Sequence, residues 1–154
     1  MYQRILAAVD DSRSSDLALK EAIGLAKDEH AILRIVYVVD EVSLYGDAPF
    51  VDPSEIERAW IETGHEILAK AQSAARSAGI DAEVKLLETE NIGERMADAI
   101  VAEARAWPAD LVVVGTHGRS GLNHLLMGSV AEGIVRSSPV PILLVRMRQS
   151  NTAN

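Results

Sequence analysis

Short apolar runs alternate along the chain with longer amphipathic ones. Ile5-Leu6-Ala7-Ala8-Val9 contains no polar position and reads as a buried strand. Ser12 to Lys27 has Ser and Asp at its start and places Leu19, Ile23 and Ala26 on one face, which predicts a helix. Ile32 to Val39, rich in β-branched residues, predicts a second strand. The stretch from Asp40 to Asp52 is loop-like, with Gly46, Pro49 and four acidic residues. Asp52 then offers an N-cap, Pro53 suits the first helical position, and Glu55 stands three residues past the cap. The helix so opened puts Ile56, Trp60, Ile67, Ala71, Ala74 and Ala78 near one stripe and stops at Gly79. Trp60 in that stripe reads as helix core rather than as a platform for a stacked base.

The second half repeats the alternation. Ala82 to Leu87 is a third strand whose Val84 and Leu86 alternate with Glu83 and Lys85, so one face is covered. Asn91 with Glu94 opens a third helix, apolar at Met96, Ala97, Ile100, Val101 and Ala104 and ended by Pro108. Leu111 to Val114 is apolar throughout, as a central parallel strand is. Ser129 with Glu132 reads as a capping box for a fourth helix, and Val140 to Val145 as a fifth strand. Residues 1–148 form the expected domain, with 149–154 a flexible polar tail. Strict strand–helix alternation with right-handed crossovers predicts an α/β fold, a single-domain three-layer sandwich. Its five-stranded, mostly parallel sheet has order 3-2-1-4-5, with helices on both faces. In that order the third and fifth strands are edges. Glu83 and Lys85 blunt the third. The fifth, Val140 to Val145, is protected only by Pro139 and Pro141, so a homodimer through this strand is expected.

Composition narrows the function. The 154 residues suit one domain able to bury roughly 70% of its unfolded surface. Cys is absent, which excludes a disulfide scaffold, a thiolate metal site and a cysteine nucleophile. Fifteen Lys and Arg against 23 Asp and Glu give a net charge of −8 without a basic patch, so neither nucleic acid nor an acidic membrane is an expected partner. No apolar run has the length of a membrane span or a signal-peptide core, and a cytoplasmic protein is expected.

In open α/β sheets, ligands bind beyond the carboxyl ends of the strands. The first strand is followed by Asp10-Asp11-Ser12 and the second by Asp40-Glu41. After the fourth comes Gly115-Thr116-His117-Gly118-Arg119-Ser120-Gly121, which leads on to Gly128-Ser129 at the fourth helix. Glycines let the backbone approach a ligand, successive N–H groups form an anion nest, and a helix N-terminus favours negative charge. Each charge-assisted bond contributes about 1.5–3 kcal/mol. Three or four of them with a buried adenine suffice for micromolar affinity, about −8 kcal/mol. Neither G-x-x-x-x-G-K-[ST] nor G-x-G-x-x-G occurs, and Arg119 is the cradle's only fixed cation, which favours holding a nucleotide over cleaving it. Asp10 and Asp11 suit either a phosphate-bound metal or helix capping. Ser129 is both a cap and a phosphate ligand, while Glu132 brings an unwelcome negative charge. His117 and His124 read as exposed loop residues rather than a metal pair, and His30 and His65 as surface residues.

The spacing Gly115, two residues, Gly118, nine residues, Gly128-Ser129 resembles the G-2x-G-9x-G-[S/T] signature of the ATP-binding branch of the universal stress protein family. Ile5 to Asp10, Val38-Val39-Asp40, Asp110 to Leu122 and Pro139 to Val145 are similar to that family's segments, so the resemblance spans nearly the whole chain. It implies a stress-response regulator binding ATP, with Mg2+ or Mn2+, and acting on a protein partner that the sequence does not name. It implies that Ala8, Asp10 and Val38 line adenine and ribose. Gly115, Gly118, Arg119, Gly128, Ser129 and Val130 would hold ribose and phosphates. It also implies dimers built through the fifth strand. Two alternatives stand beside it. A phospho-acceptor module of receiver-domain type matches Asp10-Asp11 and Thr116, but has no Asp after the third strand and Arg146 in place of Lys after the fifth. A slow ATP hydrolase has Asp10 as its only nearby base.

Overall fold

The structure is a computed structural model that describes residues 1–40, 50–89, 95–117 and 127–147. Strands and helices alternate as β1 (Arg4–Ala8), α1 (Arg13–Glu29), β2 (Ile32–Val39), α2 (Pro53–Ser77), β3 (Glu83–Glu88), α3 (Met96–Ala106), β4 (Leu111–Gly115), α4 (Ser129–Ser137) and β5 (Ile142–Val145). The sheet has the order β3-β2-β1-β4-β5, and each of its four pairings is parallel. This is the expected α/β architecture. It also removes the receiver-type reading, because that fold sets β3 beside β1 in the order 2-1-3-4-5, whereas here β3 pairs with β2 at the edge.

Two cores explain why the central strands are almost entirely apolar, Arg4 and Arg34 excepted. Ile5, Ala7, Leu33, Ile35, Tyr37 and Val113 face α1 and α2. Leu6, Val36, Val38, Val112 and Val114 face α3 and α4. Period-2 alternation thus sends neighbouring residues into different cores. At the β3 edge, Arg34 of β2 bonds Glu83 (2.6 Å) and Glu103 of α3 (2.7 Å), and Lys85 bonds Glu103 (2.7 Å). Glu103 is only 5% exposed, so the two charges expected merely to blunt the edge belong to a network that neutralises a buried carboxylate.

The helix starts follow their caps. The Ser15 N–H donates to Ser12 Oγ at 3.1 Å for α1, and the Ser54 N–H to Asp52 Oδ1 at 3.0 Å for α2. Gly79, just past α2, has φ +87°, a conformation that suits glycine. α3 begins at Met96, where the Arg95 N–H donates to Asp98 Oδ2 (3.0 Å); the expected openers Asn91 and Glu94 lie outside the described residues. Two boundaries differ from expectation. Gly128, not Ser129, occupies the N-cap of α4, no side chain caps that helix, and Glu132 pairs with Arg136 (2.6 Å) instead of closing a capping box. β5 begins at Ile142 rather than Val140, since Pro141 has no N–H and the Val140 N–H turns to Ser138 Oγ (3.2 Å). The expected tail also lies outside the described residues. Among the described residues, no helix is long and apolar enough to cross a membrane.

Candidate functional site

In a parallel sheet each helix begins just beyond the carboxyl end of the preceding strand, so strand ends and first helical turns share one rim. A cavity of about 420 Å3 opens there. Ala8 and Asp10 enter it from the end of β1, Val38 and Asp40 from β2, and Gly115, Thr116 and His117 from β4. Gly128, Ser129 and Val130 enter from the start of α4. Met96 and Ile100 of α3 supply an apolar wall, and Tyr37 and Trp60 a second one.

Serines at the start of α1 hold the strand ends together. The Asp10 N–H donates to Ser15 Oγ (2.9 Å), and Asp10 Oδ1 accepts from the Ser12 N–H (2.9 Å). Asp10 therefore supports the helix start while lining the cavity. Asp11 sits at φ +69°, is exposed and does not line this cavity. Ser12 Oγ donates to the His117 carbonyl (3.3 Å), and the His117 N–H donates to Ser14 Oγ (3.4 Å). A Cβ on Gly115 would lie 2.3 Å from Ser14 Oγ and 2.8 Å from the Ser14 carbonyl carbon. Glycine is needed at that position for α1 to pack on β4.

The Gly128 N–H donates to the Thr116 carbonyl at 2.6 Å, joining the start of α4 to the end of β4. With no side-chain cap, the first amides of α4 and the positive end of its dipole stand at the cavity, where Ser129 is exposed. The ion pair with Arg136 offsets the charge of Glu132 near these amides. His117 is half-buried rather than exposed. Its Nδ1 lies 2.9 Å from Thr116 Oγ1, and its Nε2 is shielded from solvent without a hydrogen-bond partner among the described residues. His30 and His65 are exposed, as expected. Among the described residues, no group of three or more His, Asp and Glu side chains forms a metal-binding cluster.

Of the residues named from the sequence, Ala8, Asp10, Val38, Gly115, Gly128, Ser129 and Val130 meet at this cavity. Gly118 and Arg119 lie outside the described residues, as does His124. Asp40, Thr116, Met96, Ile100 and Trp60 line the cavity without having been named as ligand-holding. Trp60 also packs against the α1–α2 core, so the core reading of this residue is half of its position. The available signal was distance from the rim, because the first two turns of a helix lie within about 11 Å of its start.

A sequence profile described as the universal stress protein family matches residues 1–146. A universal stress protein of Methanocaldococcus jannaschii is 35% identical over 152 residues, covering 95% of this chain and 83% of the relative. A solved structure from the same family, from Burkholderia pseudomallei, is 36% identical with a TM-score of 0.76, over 94% of this chain and 96% of that one. A universal stress protein solved in complex with cAMP is 26% identical with a TM-score of 0.69, over 94% of this chain and 97% of that one.

Proposed function

The chain belongs to the universal stress protein family, and from that premise we propose that it is an ATP-binding regulator that holds its nucleotide rather than turning it over. The observation that carries this reading is the uncapped start of α4, tied by the Gly128–Thr116 bond to the end of β4 inside a cavity with apolar walls. Its volume falls within the roughly 300–1,000 Å3 range of small-molecule sites. The relative solved with cAMP supports an adenine nucleotide as the ligand class.

In this reading Ala8, Asp10 and Val38 meet base and ribose, while Gly115, Gly118, Arg119, Gly128, Ser129 and Val130 meet ribose and phosphates. Mg2+ or Mn2+ enters as an ion carried by the phosphates, since the described residues form no metal cluster of their own. Hydrolysis is disfavoured because the sequence lacks the G-x-x-x-x-G-K-[ST] lysine that would stabilise charge on the terminal phosphates. Residues 1–148 act as one nucleotide-responsive unit in the cytoplasm, as a homodimer, with occupancy altering the surface offered to a protein partner.

The test is calorimetric titration of ATP into the wild-type chain and into Gly128→Val. Gly128 has φ −63°, which valine adopts freely, so the fold is expected to survive while the new side chain fills the phosphate's space. ATP affinity is expected to fall about a hundredfold, equivalent to losing two charge-assisted hydrogen bonds at about 1.5 kcal/mol each. Normal binding by a folded Gly128→Val, or none by the wild type, overturns the assignment.

A further inference from the structure

We propose that Trp60 is the wall against which the nucleotide base stacks, and that it gives the cavity a preference for purine over pyrimidine nucleotides. The inference rests on the nucleotide reading above and adds the part of the ligand that the amides of α4 do not read.

Aromatic residues are scarce in this chain, with two Trp, three Tyr and one Phe. Two of those six, Tyr37 and Trp60, meet at the cavity of the carboxyl rim. The other indole shows what a purely structural tryptophan looks like here: Trp107 is 8% exposed, with the Arg34 guanidinium 4.5 Å from its ring centroid. Trp60 is instead half-buried, packed on the core along one side and lining the cavity.

Its height above the sheet is set one turn further along α2. A Cβ at Gly64 would lie 2.8 Å from Tyr37 Cδ1 and 2.5 Å from Leu86 Cδ1. A side chain at Gly64 would have to displace the Tyr37 ring and Leu86, so glycine lets α2 settle this closely onto the sheet one turn from Trp60. Glycine inside a helix costs about 1 kcal/mol relative to alanine, a cost this close approach explains. Across the rim, Met96 and Ile100 offer aliphatic surface with no side-chain hydrogen-bond donor. A flat ring entering between the two walls finds aromatic side chains on one side only, and base–aromatic stacking is worth more for the larger purine surface.

The experiment titrates ATP and CTP into the full-length wild type, Trp60→Leu and Trp60→Phe, and follows indole emission. Trp60→Leu keeps the volume apolar but removes the π face. It is expected to lose about tenfold in ATP affinity and to bind ATP and CTP alike, while Trp60→Phe retains most of the preference. ATP is expected to change wild-type emission, and the change should vanish in Trp60→Phe, where Trp107 is the only indole. A folded Trp60→Leu that keeps the wild-type ratio of ATP to CTP affinity overturns the proposal, as does an emission change that persists in Trp60→Phe. If Trp60→Leu does not fold, the emission comparison decides alone. A wild type that binds neither nucleotide ends the nucleotide reading itself and this proposal with it.

Discussion

Gly115 and Gly128 belong to one spacing pattern, yet packing explains the glycine at the first, and at the second only the proposed phosphate does. At Gly115 the neighbour is the protein itself, since Ser14 occupies the space a methyl group would need. Gly115→Ala is therefore expected to destabilise the fold by about 1–3 kcal/mol, the usual cost of overpacking, as read from urea denaturation. Adding Ser14→Ala should restore only part of the loss, because the Ser14 carbonyl carbon and oxygen also lie within 2.9 Å. Full stability of the single variant would return Gly115 to a purely ligand-facing role. At Gly128 the backbone imposes no such demand. A spacing pattern cannot separate the two cases, because Ser14 and Gly115 meet only through the crossover between them. His117 was misread for the same reason. Its backbone is held by Ser12 and Ser14, more than a hundred positions away in the chain.

Elements were legible where their signals are local. Ser12 opens α1, and Asp52 with Pro53 opens α2, because a cap acts within its own first turn. The Asp52 carboxyl is held below its ordinary pKa, first by the Ser54 N–H and then by the Ser54 hydroxyl. A lowered folded-state pKa means the cap stabilises α2 at neutral pH, and the contribution is lost as pH falls through that lowered value. Asp52→Ala should consequently unfold at lower urea than the wild type at pH 7, with the two midpoints converging in acid, below the ordinary aspartate pKa of about 3.9. A gap that stays constant with pH would mean the carboxylate is not the capping group. The start of α4 was misjudged because Ser129 and Glu132 satisfy the capping pattern while other partners win: Thr116, just past β4, takes the Gly128 amide, and Arg136, one turn along the same helix, takes Glu132. The start of β5 was misplaced by two residues because apolar character was read through Pro141, which has no N–H to pair.

At the scale of the whole molecule, strand order was legible because five apolar runs separated by helices leave few parallel arrangements. The amide-lined half of the site followed from the glycines. The Trp60 half did not, since a helical stripe shows which side faces inward but not which end reaches the rim. The two sheet edges are treated differently. β3 carries Glu83 and Lys85, both tied into the network around Glu103. β5 is Ile-Leu-Leu-Val, half-buried at every position, with β4 as its only strand neighbour among the described residues. An apolar edge strand of this kind is a template for pairing, and a second copy of the chain is the partner always at hand. Native mass spectrometry of the wild type is expected to give twice the chain mass, and Leu143→Lys a single chain with the same circular dichroism. Because a dimer's stability depends on protein concentration, the wild-type Tm should rise on concentrating the sample while that of Leu143→Lys stays flat. A wild type that is monomeric at tens of micromolar, with a Tm independent of concentration, would leave the β5 edge open in solution and require its protection to come from within the chain.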